Sequence, residues 1–197
     1  MAASEIEILK NIRTSAVRSR DSTTNATNTI DYAHHEVHGG NAYASHYTEI
    51  DVDTGEVVRV RFETANTAKW PHILMSAITT LSSRAIFIEE TTLQHVAANA
   101  ITAYNRDRNS TNTSGMTICH TPLGDSSSSS GETVEVILEQ QTWGTAGKGT
   151  SPGFGGTVRG SSEWILKPNT AYLVEVVSLA DNNIITVSLD WYEHTNK

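Results

Sequence analysis

The sequence predicts an all-β fold: an antiparallel, jelly-roll-like β-sandwich carrying a short N-terminal helical arm. Three observations lead there. From residue 30 onward, apolar residues recur at period two in roughly nine or ten short runs. Polar turn sequences separate those runs at regular spacing. A helical period occurs only ahead of them, in residues 4–18. So many short strands with turn signals between them belong to a sandwich or barrel.

The elements follow in order. Residues 4–18, SEIEILKNIRTSAVR, open with Ser4 and Glu7 at the spacing of a capping box. Glu5 and Glu7 suit the positive end of the helix dipole. Ile6, Leu9, Arg13 and Ala16 share one stripe, with Ile8 and Ile12 beside it. Lys10, Arg13, Arg18 and Arg20 make this end locally basic. So short a helix is not stable alone in water, so its apolar stripe must dock on something. The partner is its own domain, a sister subunit, or another protein that the arm grips. Residues 19–29, SRDSTTNATNT, hold no apolar residue larger than Ala26 and read as a polar linker. The expected division is an arm with linker at 1–28 and a sandwich at 29–197.

Within the sandwich, HYTEIDV (46–52) and EVVRVRFET (56–64) alternate, with Val58, Val60 and Phe62 on one face. Asp53-Thr54-Gly55 between them has hairpin-turn chemistry. Further strands are expected at 72–80, 84–91, 100–106, 115–121, 133–143, 163–167, 171–179 and 183–194. Lys167-Pro168-Asn169-Thr170 and Asp181-Asn182-Asn183 supply turns between the last three.

Bulk composition narrows the function classes. Fourteen basic residues against twenty-two acidic ones give a formal net charge of −8, which disfavours general nucleic-acid binding. The single cysteine, Cys119, leaves no intramolecular disulfide. The start, MAASEIEILKNIR, lacks the apolar run of a signal peptide, and no run approaches the length that spans a bilayer. A chain made in a reducing cytoplasm is the expectation, with the sequons at Asn25, Asn109 and Asn112 accidental.

Chemical motifs are close but incomplete. DYAHHEVHGG (31–40) concentrates His34, His35, Glu36 and His38. A zinc-protease helix needs H-E-x-x-H, and His35-Glu36-Val37-His38 is one residue short. Gly39-Gly40 follow at once and only a polar linker precedes, so the run is expected to be extended and to lead into the sandwich. His34, Glu36 and His38 would then share a face. A divalent ion is one use for such a face; contacts at a subunit or arm junction, sensitive to pH near the imidazole pKa, are the expected one. Asp51 to Glu56 resembles a calcium loop, but Gly55 falls at position five and Phe62 at position twelve. GTAGKGTSPGFGGTVRG (144–160) lacks the first glycine of a Walker A loop and the Ser/Thr after its lysine. It reads as a long loop and a candidate exposed binding surface, with Trp143, Lys148, Phe154 and Arg159. Trp143, Trp164, Trp191 and Tyr192 could line a carbohydrate platform, but Trp164 and Trp191 sit inside strands beside apolar neighbours and suit core or interface better. Cys119-His120 and Glu89-Glu90 are adjacent pairs, which a strand splits between its faces, and no G-x-S-x-G elbow exists. No enzyme and no cofactor are expected.

Four segments carry a resemblance: HHEVHGGNAY, ITAYNRDRNSTNTS, EWILKPNTAYLVEVVS and LDWYEHTNK. In this order they resemble a group of tailed-bacteriophage virion structural proteins, over residues 31–197 and not over the helix at 4–18. The resemblance implies a β-sandwich on the capsid exterior, most consistent with a decoration or cement protein, and supplies no catalytic residues. Its implied partners are the major capsid protein and copies of itself, as a homotrimer, with neither nucleic acid nor membrane. Capsid and subunit contacts are expected at Ile6, Ile8, Leu9, Ile12, Arg13, Val17, Arg18, His34, His35 and His38. The rival expectation is a tail- or fibre-associated module that binds a receptor or glycan through Trp143 and the 144–160 loop.

Overall fold

The structure, a computed structural model, describes residues 32–124, 135–143, 154–155 and 163–195. The expected helix at 4–18, with Ile6, Ile8, Leu9, Ile12, Arg13, Val17 and Arg18, lies outside them, as do Lys148 and Arg159. The chain divides into two compact units, Met1–His35 and Glu36–Lys197, and the β-sandwich belongs to the second.

The described elements are α1 (Tyr32–His38), β1 (Ala42–Val52), β2 (Val57–Glu63), β3 (Lys69–Thr79), β4 (Ser83–Glu89), a 3₁₀ turn (Ala97–Asn99), β5 (Tyr104–Asn105), β6 (Thr117–His120), β7 (Val136–Trp143), β8 (Phe154–Gly155), β9 (Trp164–Ile165), β10 (Ala171–Ser178) and β11 (Asn183–Thr195). The first sheet runs β5-β1-β11-β3, with β8 and β9 both pairing to the far edge of β3. The second runs β6-β2-β10-β4-β7. Every pairing is antiparallel. The first four strands alternate between the sheets. β1 and β3 flank the last strand, and β2 and β4 flank the one before it, which is jelly-roll wrapping.

Period-two patterning builds the core. Tyr43, Ile73 and Trp191 stand in one inward row of the first sheet, and Val187 and Ala77 in another. Val58, Val60 and Phe62 oppose them from the second sheet, buried as the alternation requires. Phe62, Phe87 and Tyr172 stack at centroid distances of 5.6 to 6.2 Å, and Trp164 meets Phe87 edge-on. At one lateral edge, inward-facing Tyr47 of β1 lies flat on His120 of β6, 4.3 Å apart, bridging the two sheets.

The structure corrects four expectations. Asp53-Thr54-Gly55 does turn the chain, but β1 and β2 are not a hairpin; the turn carries the chain from one sheet to the other. A bulge between Glu49 and Val52, with Asp51 at φ +62°, bends the strand ahead of that crossing. Of residues 100–106 only Tyr104–Asn105 is strand. The stretch from Thr91 to Leu93 crosses the outer face of the second sheet instead. Leu93 is buried there against Ile86, Ile88 and Leu173, and its carbonyl accepts from Arg61 Nε at 2.7 Å. In the 144–160 stretch, Phe154–Gly155 pairs with β3.

The fourth correction concerns the histidine run, which is helical. Gly40 N–H donates to Val37 O at 3.0 Å and Asn41 N–H to Glu36 O at 2.9 Å, with Gly40 at φ +67°. This is a Schellman stop, so the glycines end a helix rather than prevent one. A Cβ on Gly40 would collide with Ser110 Oγ and lie 2.8 Å from Ser110 Cβ. We therefore expect Gly40→Ala to destabilise the fold by about 1–3 kcal/mol, read as a lowered urea midpoint. An unchanged midpoint would show that the helix stop can relax.

Candidate functional site

The start of β1 and the end of β11 lie side by side, with Ala42 opposite Tyr192, and a dense polar junction is built around them. Glu36 is buried in the last turn of α1, where its Oε2 accepts from Asn41 Nδ2 at 3.1 Å. Gly40 O accepts from Asn105 Nδ2 at 2.9 Å, from Asn112 Nδ2 at 3.2 Å and from the Tyr43 hydroxyl at 3.4 Å. Asn41 O accepts from Glu193 N–H at 3.0 Å, which ties the root of the N-terminal segment to the last strand.

The loop from Asn105 to Met116 shapes itself through local side-chain turns. Asp107 N–H donates to Asn105 Oδ1, Asn109 N–H to Asp107 Oδ1, Asn112 N–H to Ser110 Oγ and Met116 N–H to Ser114 Oγ, all at 2.9 to 3.1 Å. Asn, Asp and Ser bond the backbone two residues on in this way. The abundance of these residues here has that local cause.

Glu193 is the junction's electrostatic centre. It is buried, and its Oε1 accepts from Ser114 Oγ at 2.6 Å, Gly115 N–H at 3.0 Å and Trp191 Nε1 at 3.1 Å. Gly115 N–H also reaches Oε2 at 3.1 Å. A buried carboxylate is tolerable when donors fill its lone pairs, and bonds to a charged acceptor are the strong kind. Burial, and then the charge of Glu193, push the Tyr43 phenol above its ordinary value of 10.0. Tyr43 in turn stacks on Trp191 at 5.7 Å.

On the outer face of the first sheet, the Tyr192 hydroxyl meets His72 Nδ1 at 3.1 Å and donates to Glu163 Oε2 at 3.2 Å. Tyr192 stacks on His72 and on His194, and the two imidazoles meet at a tilt of 37°, with centroids 4.4 to 5.6 Å apart. Arg106 Nη1 spans both oxygens of Asp190 at 3.0 and 3.2 Å. All four segments that carry the resemblance thus contribute to one region. Glu36 to Tyr43 come from the first, Asn105 to Ser114 from the second, Glu163 from the third, and Asp190 to His194 from the last.

The residues singled out in the sequence fare unevenly. His34, His35 and His38 are exposed on α1, while Glu36 is buried, so the expected shared His-Glu-His face does not form. Among the described residues, no group of three or more His, Cys, Asp and Glu side chains is placed to hold a metal ion. Trp143 is not an exposed platform: it is buried in the core and donates its indole N–H to Thr79 Oγ1 at 2.8 Å. Phe154 pairs through its backbone with Ala77. The junction residues Gly40, Asn105, Asn112 and Glu193 escaped the sequence reading. The usable signals were the Asn-x-Asp-x-Asn spacing, which marks consecutive turns, and a glutamate at an inward position of a strand. Comparison of the chain with protein families, curated proteins and solved structures finds no match.

Two outcomes follow for the junction. Glu193→Gln removes the charge that Ser114, Gly115 and Trp191 donate to and turns an N–H₂ toward the Gly115 N–H, and should cost about 1–3 kcal/mol of stability, measured by urea unfolding; a change near zero would mean that the carboxylate is not the latch. Stability should also fall above pH 10. Tyr43 and Tyr172 hold their protons in the folded state past the value of 10.0 that an unfolded chain shows, Tyr172 chiefly through burial. The native state then binds more protons, so their contribution is complete below pH ~10 and fades as pH rises through the folded values. Urea midpoints at pH 8 and pH ~10.5 test this, and Tyr43→Phe should flatten the slope.

Proposed function

We propose that this protein is a non-enzymatic phage virion protein that binds the outside of the capsid and stabilises the shell. The observation that supports the reading best is the anchored root of the N-terminal segment. An arm on a polar linker needs a fixed point of attachment on the body. Glu36 to Asn41 are held by a helix stop, by Asn105 and Asn112, and by β11. The sandwich behind that root is a jelly roll, an architecture that viral capsid domains use, though lectins and cupins use it as well. The resemblance of the four segments supplies the rest of the reading.

In this role the basic, apolar stretch at 4–18 grips the major capsid protein, and the sandwich faces outward. Homotrimers at local symmetry axes would let each arm reach a neighbouring unit and gain avidity from linked contacts. His34, His35 and His38, exposed just ahead of the root, suit contacts at such a junction. Removing residues 1–28 should leave a folded sandwich that no longer cosediments with capsids lacking the protein. Full binding by the truncated chain would sink the arm's role.

A further inference from the structure

A groove of about 470 Å³ opens on the lateral edge of the sandwich where Tyr47 and His120 bridge the sheets. Its volume lies in the range of about 300–1,000 Å³ typical of small-ligand sites. One wall is the second half of β1, from Tyr47 to Val52; the other is the beginning of β2 with Thr121. The groove exists because both sheet edges are uncovered there among the described residues. β5 pairs with β1 only at Tyr43 and Ala44, and β6 pairs with β2 only from Val60 to Glu63.

We propose that this groove binds a neutral, hydroxyl-rich saccharide. Glu49, Asp51 and Glu56 present carboxylates to it, and carboxylates accept hydrogen bonds from sugar hydroxyls. Glu49 and Glu56 each have one engaged oxygen: the Tyr47 hydroxyl donates to Glu49 Oε2, and Asp53 N–H donates to Glu56 Oε2 at 2.8 Å. Burial first, and then the bond to Glu49, push the Tyr47 phenol up to about 12, so its one proton stays on the bond to Glu49. Ile50, exposed, Val57 and Tyr47 add apolar surface to the lining for the C–H faces of a sugar ring. Mixed aromatic, apolar and hydrogen-bonding lining of this kind suits an amphipathic polyol.

Charge selects against other ligands. Arg59, the one cation in the lining, is held by Glu175 at 2.8 Å, so the groove repels acidic polysaccharides and phosphates. An extended peptide adding to the β1 edge is disfavoured by the bulge at Glu49–Val52 and the left-handed Asp51, which break the ladder of backbone groups that a new strand needs. This site is independent of the capsid-binding reading.

The test is titration of the full chain, followed by amide NMR shifts, with neutral oligosaccharides of glucose, mannose, galactose and N-acetylglucosamine, alongside hyaluronate and polygalacturonate. At least one neutral oligosaccharide should bind and shift the amides of Tyr47, Glu49 and Thr121. Glu49→Gln and Asp51→Asn, both at exposed positions, should keep the thermal midpoint and each weaken binding about tenfold. Binding by no neutral sugar of the panel, by the acidic polymers alone, or with undiminished affinity in both variants overturns the proposal. So does a strand-forming peptide that occupies the groove in place of the sugars.

Discussion

The last strand of the chain is the centre of its sheet, and the rest of the sandwich depends on that placement. β11 pairs with β1 along one side and with β3 along the other. These two flanking strands reach one another only through it. β10 has the same place between β2 and β4. Residues 171–195 therefore hold the middle of both sheets, and neither sheet closes until they are in position. Such pairing over most of the chain length is entropically expensive to form. The inward row that makes it worthwhile is Ile185, Val187, Leu189 and Trp191, each at 2 % exposure or less.

Placing the last strand beside the first also decides what the chain does at residue 40. The end of β11 arrives where α1 stops, and the Asn105–Met116 loop wraps over both. Most of that loop lies outside any sheet, so its backbone donors need acceptors from elsewhere. Glu193 provides one on the inward side of β11 and its own N–H holds Asn41. A leucine at 193 would fill the space but leave Gly115 N–H and the Trp191 indole without an acceptor. The polar choice at an inward strand position is thus tied to the loop it must satisfy, and the loop is tied to Gly40.

Strands were legible in the sequence because period two is a local property. Val58, Val60 and Phe62 declare a buried face within one short run, and β10 and β11 do likewise. Pairing is not local. Asp53-Thr54-Gly55 has the same residues whether the chain folds back as a hairpin or crosses to the opposite sheet, and only the positions of β10 and β11 decide. The histidine run was misread for a related reason. Gly39-Gly40 close the run and only a polar linker precedes it, which suggests an extended chain; the Schellman bonds at Gly40 make those glycines the end of a helix, and Glu36 is buried in its last turn. Trp143 looked like a platform because a glycine-rich stretch follows it, but its indole is claimed by Thr79, 64 residues earlier.

The bulge in β1 joins these themes. It bends the strand so that the turn at 53–55 can pass to the second sheet, and it leaves Glu49 and Asp51 at the open edge with no partner strand beside them on that side among the described residues. One irregularity thus produces both the crossover that makes a jelly roll and the walls of a groove. The anchored root lies at the opposite end of the same strand. Ten residue steps separate Ala42 from Val52, and at strand rise that is roughly 33 Å. The groove and the junction at Gly40 therefore share no residues, and either can be altered by substitution without touching the other.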